Sequence, residues 1–143
     1  GYILGDEGSA VYMGKNLVRL YLRGQLPREI ENKLRNRFDI REESVIHSVY
    51  KQGKGRETFA GFSRFLMQQK NDPFIYSFLY RNFKEYFMAF LPEDQPETIH
   101  FSGSVAFYFS DILRQVANDI SVRIGNIVES PIAGLTLFHQ KYT

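Results

Sequence analysis

Apolar residues recur at three- and four-residue spacing along much of the chain, the period of amphipathic helices packed on a core. A short apolar stretch at residues 1–4 comes first and is typical of the end of a strand. The first helix is predicted to begin at Ser9 and to stop before Gly24, since glycine suits the position just past a helix end. A second helix is predicted to begin at Pro27, and a third, short helix covers residues 42–50.

Two longer helices are predicted next. One spans residues 57–69, and the run Asn71-Asp72-Pro73 then predicts another helix start, because aspartate caps helices and proline fits the first turn. The fifth helix extends from there to about Leu91 and carries a dense stripe of phenylalanines. Since the spacing is that of an ordinary amphipathic helix, we interpret this stripe as core rather than as a cofactor-binding box.

The pattern changes after Pro92. Residues 98–101 predict a short strand, 106–117 a helix and 120–128 a strand rich in β-branched residues, before a last helix that begins at Pro131. This order predicts two parallel strands joined by a right-handed crossover. The whole pattern therefore predicts an α/β domain that is mostly helical and has a small sheet.

Composition narrows the function classes. The length of 143 residues fits one domain, and a net charge of +2 without a basic stripe argues against nucleic acid as a partner. The chain has no cysteine, which excludes disulfides, thiolate zinc sites and cysteine-bound iron–sulfur clusters within it. It shows neither a signal peptide nor an apolar run that could span a bilayer, so we expect a cytoplasmic protein without a membrane partner.

An acid pair in the stretch GDEGS, Asp6 and Glu7, stands just before the first predicted helix. In one interpretation Asp6 caps this helix and the negative charge of Glu7 interacts favourably with the positive end of the helix dipole. In the other, Asp6 accepts hydrogen bonds from ligand hydroxyls, each worth about 1.5–3 kcal/mol when the acceptor is charged. The pattern alone favours neither.

The stretch HFSGSVAF leads from a predicted strand through Gly103 into a helix. Such a turn presents free backbone N–H groups, and without a Cβ at Gly103 a phosphate or adenosine can approach the backbone closely. Because glycine turns of this kind are common, a purely structural role is the more frequent explanation. The histidines His47, His100 and His139 lack metal-ligand spacing, so we expect them to be structural or surface residues and expect no metal site.

Four stretches in order, GDEGSA, RETFAGFSRFL, HFSGSVAFYF and SPIAGLTLFHQKY, resemble the C-terminal half of N-acetylglucosamine kinase-like proteins. These belong to the BadF/BadG/BcrA/BcrD-type ATPase family of the actin/hexokinase/Hsp70 superfamily. The resemblance covers essentially the whole chain. It implies that residues 1–143 are a single ribonuclease H-like (actin-like ATPase) second lobe, and that the N-terminal lobe is absent from this chain.

The implied activity is ATP-dependent phosphorylation of an amino-sugar hydroxyl. The resemblance places the catalytic base, the phosphate loop and most of the Mg²⁺ site in the absent lobe, so the chain alone is expected to be inactive. Gly1 and Asp6 match positions that face the sugar, Ala60 matches one against the nucleotide, and Gly103 and Ser104 match the adenosine motif. One departure is that the superfamily often has two glycines where this chain has Ser102-Gly103.

Two other hypotheses are open. A family ATPase with a regulatory or activator role is disfavoured, because activators of that family hold an iron–sulfur cluster with cysteines. A non-enzymatic module would bind protein through its aromatic helices and use the GDEG and SGSV turns only as caps. The kinase hypothesis predicts that Asp6, Ala60 and Gly103 line one cleft, whereas the module predicts scatter. A homodimer through the aromatic helices is compatible with each.

Overall fold

The structure, a computed structural model, describes residues 2–5, 7–38, 55–91 and 98–129, with the side chains of 2–10, 55–60, Phe90 and Ser104 outside the description. The helices predicted over 42–50 and from Pro131 onward lie outside the described residues. In the described part the order of elements is β1 (Tyr2–Gly5), α1 (Glu7–Leu22), α2 (Arg28–Arg37), α3 (Gly55–Gln68), α4 (Pro73–Phe90), β2 (Ile99–Ser102), α5 (Ser104–Tyr108), α6 (Ser110–Asp119) and β3 (Ile124–Val128).

The strands form a three-stranded parallel sheet in the order β1-β2-β3. The chain is thus mostly helical with a small parallel sheet, as predicted, and the short apolar stretch at the start is confirmed as a strand. Gly5 pairs with Ser102, and Ser102 pairs with Val128. All three strands therefore end at one side of the sheet, which we call the carboxyl edge.

The predicted stop of the first helix is confirmed. Gly24 follows α1 with a φ of +65°, a backbone conformation that glycine adopts without strain. Its N–H donates to the carbonyl of Tyr21 at 3.0 Å, and the N–H of Gln25 donates to that of Leu20 at 2.9 Å. These two bonds form a Schellman motif, which satisfies carbonyls that the helix end leaves free.

The predicted start of the long helix is confirmed as well. Asp72 caps α4, because its Oδ1 accepts hydrogen bonds from the N–H groups of Phe74 at 2.9 Å and Ile75 at 3.2 Å. Pro73 is the first helical residue. At the second helix the proline stands one position earlier than predicted, since Pro27 precedes the first helical residue, Arg28.

The largest differences in bounds concern two predicted elements. The helix predicted over 106–117 begins at Ser104 and is divided into α5 and α6 by Phe109, whose φ of −106° and ψ of 25° leave the helical region. The strand predicted from residue 120 begins only at Ile124. The intervening residues close α6 instead, as the N–H of Val122 donates to the carbonyl of Ala117 at 2.8 Å.

The phenylalanine stripe of α4 is core, as interpreted from the sequence. Phe83 and Phe87 are 2% and 1% exposed, and the ring of Phe87 meets that of Phe101 on β2 edge-on at a centroid distance of 5.2 Å. α4 packs against α1 and α6, and α3 packs against α1. This core also holds the buried polar residue Asn82, whose Oδ1 accepts from Asn16 Nδ2 at 2.7 Å and links α4 to α1. In the described part of the chain no helix is both long enough and apolar enough to cross a membrane.

A bulge interrupts the pairing of β2 with β3. Ile99 pairs with Ile124 and Phe101 pairs with Ile127, so the two residues Gly125 and Asn126 stand opposite His100 alone. The extra residue brings Ile124 and Ile127 to the same face of the sheet despite their three-residue separation. His100 is buried, and its Nδ1 accepts a hydrogen bond from the Asn126 N–H at 2.9 Å. The structural role predicted for this histidine is thereby confirmed; His47 and His139 lie outside the described residues.

Gly125→Ala should lower the free energy of unfolding by about 1–3 kcal/mol, the usual cost of forcing extra atoms into a packed site. An added Cβ would lie 2.5 Å from Cε1 of the buried His100 ring and 2.8 Å from Cγ2 of Thr98. The control is Gly61→Ala in α3, where an added Cβ meets the Phe38 ring at 3.0 Å. There the helix preference of alanine, about 0.8–1 kcal/mol over glycine, offsets the tight contact. Denaturant unfolding of both variants measures the difference, and equal stabilities would contradict the prediction.

Candidate functional site

The carboxyl edge of the sheet brings two of the sequence motifs together. β1 ends at Gly5, inside GDEGS, and β2 ends at Ser102, inside SGSV; these two residues are register partners on neighbouring strands. Neighbouring strands lie about 4.8 Å apart, so the two motifs leave the sheet side by side although they are far apart in the sequence. Ligands of open parallel sheets bind in the crevice outside the carboxyl ends of the strands. The carboxyl edge is therefore the candidate site.

Gly103 turns the chain from β2 into α5 at this edge. It is buried, and its φ of 123° and ψ of 161° lie in a region that essentially only glycine occupies. Its N–H donates to the carbonyl of Val128 at 2.8 Å, and its own carbonyl accepts from the N–H of Phe107 at 3.1 Å. The sequence suggested that the missing Cβ makes room for a ligand. The structure adds that the backbone conformation itself requires glycine here.

The remaining predicted site residues are placed only through their neighbours. Gly1 and Asp6 lie outside the described residues, but Asp6 stands in the sequence between the end of β1 and Glu7, the first residue of α1. The helix start is thus two residues earlier than the predicted Ser9. Ser104 is the first residue of α5, and Ala60 belongs to α3.

Helix α1 is the common neighbour of these elements. It contacts α5, which follows Gly103, and it contacts α3, which carries Ala60. The structure thus brings the strand ends next to Asp6 and Gly103 together. The assignment of all five residues to ligands, and the single cleft that would include Ala60, remain predictions.

A contact at the carboxyl edge was not found from the sequence. The hydroxyl of Tyr108, at the end of α5, donates to Oε1 of Glu129 at 2.8 Å, and Glu129 directly follows β3. The Phe107 ring lies against that of Tyr108 at a centroid distance of 5.5 Å, and both are exposed. No local pattern indicates this contact, because it depends on the end of β3 lying beside α5.

The hydrogen bond to Glu129 raises the pKa of Tyr108 above its ordinary value of 10.0, with a smaller contribution from the negative charge of that carboxylate. The pKa of Tyr12 is raised in the same way by its hydrogen bond to Glu85, which joins α1 to α4 at 2.5 Å. A tyrosine whose folded pKa is raised contributes stability below pH 10, and this contribution disappears as the pH rises through the folded value.

We expect Glu129→Gln to return the pKa of Tyr108 toward its ordinary value and to leave that of Tyr12 raised. The measurement is an alkaline titration followed by the ultraviolet absorbance of tyrosinate, with Tyr108→Phe identifying the signal by difference. Glu85→Gln is the matched control, since it should shift Tyr12 and spare Tyr108. An unchanged Tyr108 titration in Glu129→Gln would show that the hydrogen bond does not persist in solution.

The similarity of this chain to known proteins comes from solved structures. No protein-family model matches the chain, and no curated protein does. Among solved structures, the chain is similar to the crystal structure of the "Putative N-acetylglucosamine Kinase" from Porphyromonas gingivalis, at 31% sequence identity and a TM-score of 0.79. The chain therefore shares the fold of the matching part of that protein. The similarity covers 99% of this chain and 51% of the Porphyromonas gingivalis protein, so the chain spans about half the length of that protein.

Proposed function

We propose that this chain is the nucleotide- and sugar-binding half of an ATP-dependent amino-sugar kinase, with the ribonuclease H-like fold of the second lobe in the BadF/BadG/BcrA/BcrD-type ATPase family. One observation carries the proposal: the parallel pairing of Gly5 with Ser102 brings GDEGS and SGSV to one edge of the sheet. The likeness to a protein named as a sugar kinase, over 99% of the chain, supports the same assignment.

In this proposal the five candidate residues form two sets, one for each ligand. Gly1 and Asp6 contact the sugar, where the carboxylate of Asp6 accepts hydrogen bonds from its hydroxyls. Ala60, Gly103 and Ser104 contact the nucleotide. The described backbone fits this role at Gly103, because this residue is buried, carries no Cβ and directly precedes α5 at the carboxyl edge.

The chemical step requires groups that this proposal places in another half of the protein. A general base must deprotonate the sugar hydroxyl, and Mg²⁺ neutralises charge on the transferring phosphoryl group when it is bound. The 51% coverage of the similar protein is consistent with such a two-lobed kinase. Closure of the lobes would exclude water and strengthen each polar contact with the substrates.

A cytoplasmic location and a homodimer through the exposed side of α4, which includes Tyr76 and Met88, belong to the same proposal.

The test is a coupled assay of ADP release by the complete protein with ATP, Mg²⁺ and a panel of hexoses with and without N-acetylated amino groups. We expect release that depends on an amino sugar, and no turnover by residues 1–143 alone. ADP release that is independent of every sugar would favour the activator ATPase instead. The absence of both turnover and ATP binding would favour the helical protein-binding module.

A further inference from the structure

The bulge in β3 determines which residue of that strand meets the turn at Gly103. With the bulge, Ser102 pairs with Val128 and the Gly103 N–H donates to the Val128 carbonyl at 2.8 Å. If β3 continued in the register set by Ile99 and Ile124, Ser102 would instead face Ile127, and Gly103 would meet the preceding carbonyl. A shift of one residue also exchanges the faces of a strand, so the end of β3 would present different side chains to the carboxyl edge.

Two side chains hold this bulge from neighbouring elements. Nδ1 of His100 accepts the Asn126 N–H at 2.9 Å, which satisfies a donor that the interrupted ladder leaves without a strand partner. Nη2 of Arg114, on α6, donates to the Gly125 carbonyl at 3.4 Å. The His100 ring also occupies the space next to Gly125, where a Cβ would come within 2.6 Å of Nδ1. The ring and the bulge are thus fitted to each other.

We propose that His100 is a positioning residue for nucleotide binding: by holding the Asn126 N–H it fixes the bulge, and the bulge fixes the Gly103 turn. This inference rests on the proposed function only for the identity of the ligand at that turn. His100 lies on β2, three residues before Gly103, and holds the neighbouring strand β3 without touching the ligand. Its loss should therefore weaken nucleotide binding and spare the sugar, whose predicted contacts, Gly1 and Asp6, flank β1.

The test compares three substitutions in the complete protein. His100→Leu removes the acceptor, and we expect the KM for ATP to rise roughly three- to tenfold, since a hydrogen bond of this kind contributes about 0.5–1.5 kcal/mol. The KM for the sugar should stay the same. His100→Asn should restore most of the ATP affinity, because its Oδ1 is bonded to Cγ just as Nδ1 is. His100→Gln places its oxygen one bond farther out and serves as the acceptor-displaced variant if His100→Leu does not fold.

Backbone amide hydrogen exchange tests, without any assay of activity, whether His100 fixes the bulge and the Gly103 turn. In His100→Leu the Asn126 and Gly103 amides should exchange faster, and in His100→Asn they should return toward the parent rates. If the parent protein phosphorylates no sugar, the proposed function fails, and these exchange rates still decide whether His100 holds the turn.

The control for general loss of stability is Gly24→Ala. It strains a residue with a φ of +65° at the far end of α1, where an added Cβ meets nothing within 4 Å. It should lower the melting temperature and leave the KM for ATP unchanged. The proposal is overturned if Gly24→Ala raises that KM as His100→Leu does, if the sugar and ATP constants rise together, or if His100→Asn gives no rescue.

Discussion

Gly103→Val should raise the dissociation constant for ATP at least tenfold, which corresponds to about 1.4 kcal/mol, and should lower the stability of the protein as well. The first effect follows from the proposed function, because a side chain at Gly103 would occupy space needed by the adenosine. The second follows from the structure, since a residue other than glycine at a φ of 123° is strained by about 1–3 kcal/mol. Calorimetric titration with ATP and thermal unfolding measure the two effects on the same sample.

A matched variant separates ligand contact from strain. Gly24→Val also places a side chain on a backbone with positive φ, and Gly24 has open space around it. We expect it to lose stability, by about 1–2 kcal/mol, and to bind ATP normally. Should a folded Gly103→Val bind ATP as tightly as the parent, Gly103 would be a purely structural glycine and the nucleotide site would have to lie elsewhere.

The sugar dissociation constant of Gly103→Val tests whether the sugar and the nucleotide contact different residues of the carboxyl edge. Because the proposed sugar contacts, Gly1 and Asp6, flank β1 and do not follow β2, Gly103→Val should change sugar affinity much less than ATP affinity. A similar loss of both would indicate that the whole carboxyl edge had moved. Gly103 would then maintain the shape of the carboxyl edge and would not contact one ligand in particular.

The elements that the sequence predicts well are those set by local chemistry. The Schellman motif at Gly24 and the cap at Asp72 depend on residues within one helical turn, and the structure confirms both. The core role of Phe83 and Phe87 follows from their spacing along one helix, and both are buried. Local preference and tertiary packing agree in these places, so reasoning from a window of residues is sufficient.

The features that the sequence does not predict depend on contacts between distant segments. The β-branched residues Ile120 and Val122 suggest a strand, but they close α6 and pack on the core instead. At the bulge, the ring of His100, on another strand, occupies the space beside Gly125. The parallel pairing of β1 with β2 joins segments that four of the described helices separate. In each case the deciding partner is remote in the sequence, and tertiary context overrides the local pattern.

Asp6→Asn should weaken sugar binding by about ten- to more than a hundredfold and leave the melting temperature nearly unchanged. The substitution keeps the shape of the side chain and removes its charge, and charge-assisted hydrogen bonds to one or two hydroxyls contribute roughly 1.5–3 kcal/mol. Asp6 precedes Glu7, the first residue of α1, so it stands in the sequence where a helix cap is also expected. Sugar affinity and melting temperature therefore have to be measured together.

Asp72→Asn is the matched control for the cap interpretation, because Asp72 caps α4 through two backbone N–H groups. Asparagine caps a helix about as well as aspartate, so this variant should change neither stability nor sugar affinity. If Asp6 is only a cap, Asp6→Asn should behave in the same way as Asp72→Asn. If Asp6 binds the sugar, the two variants should have similar melting temperatures and differ strongly in sugar affinity. Unaltered sugar affinity in Asp6→Asn, whatever its melting temperature, would remove Asp6 from the sugar site.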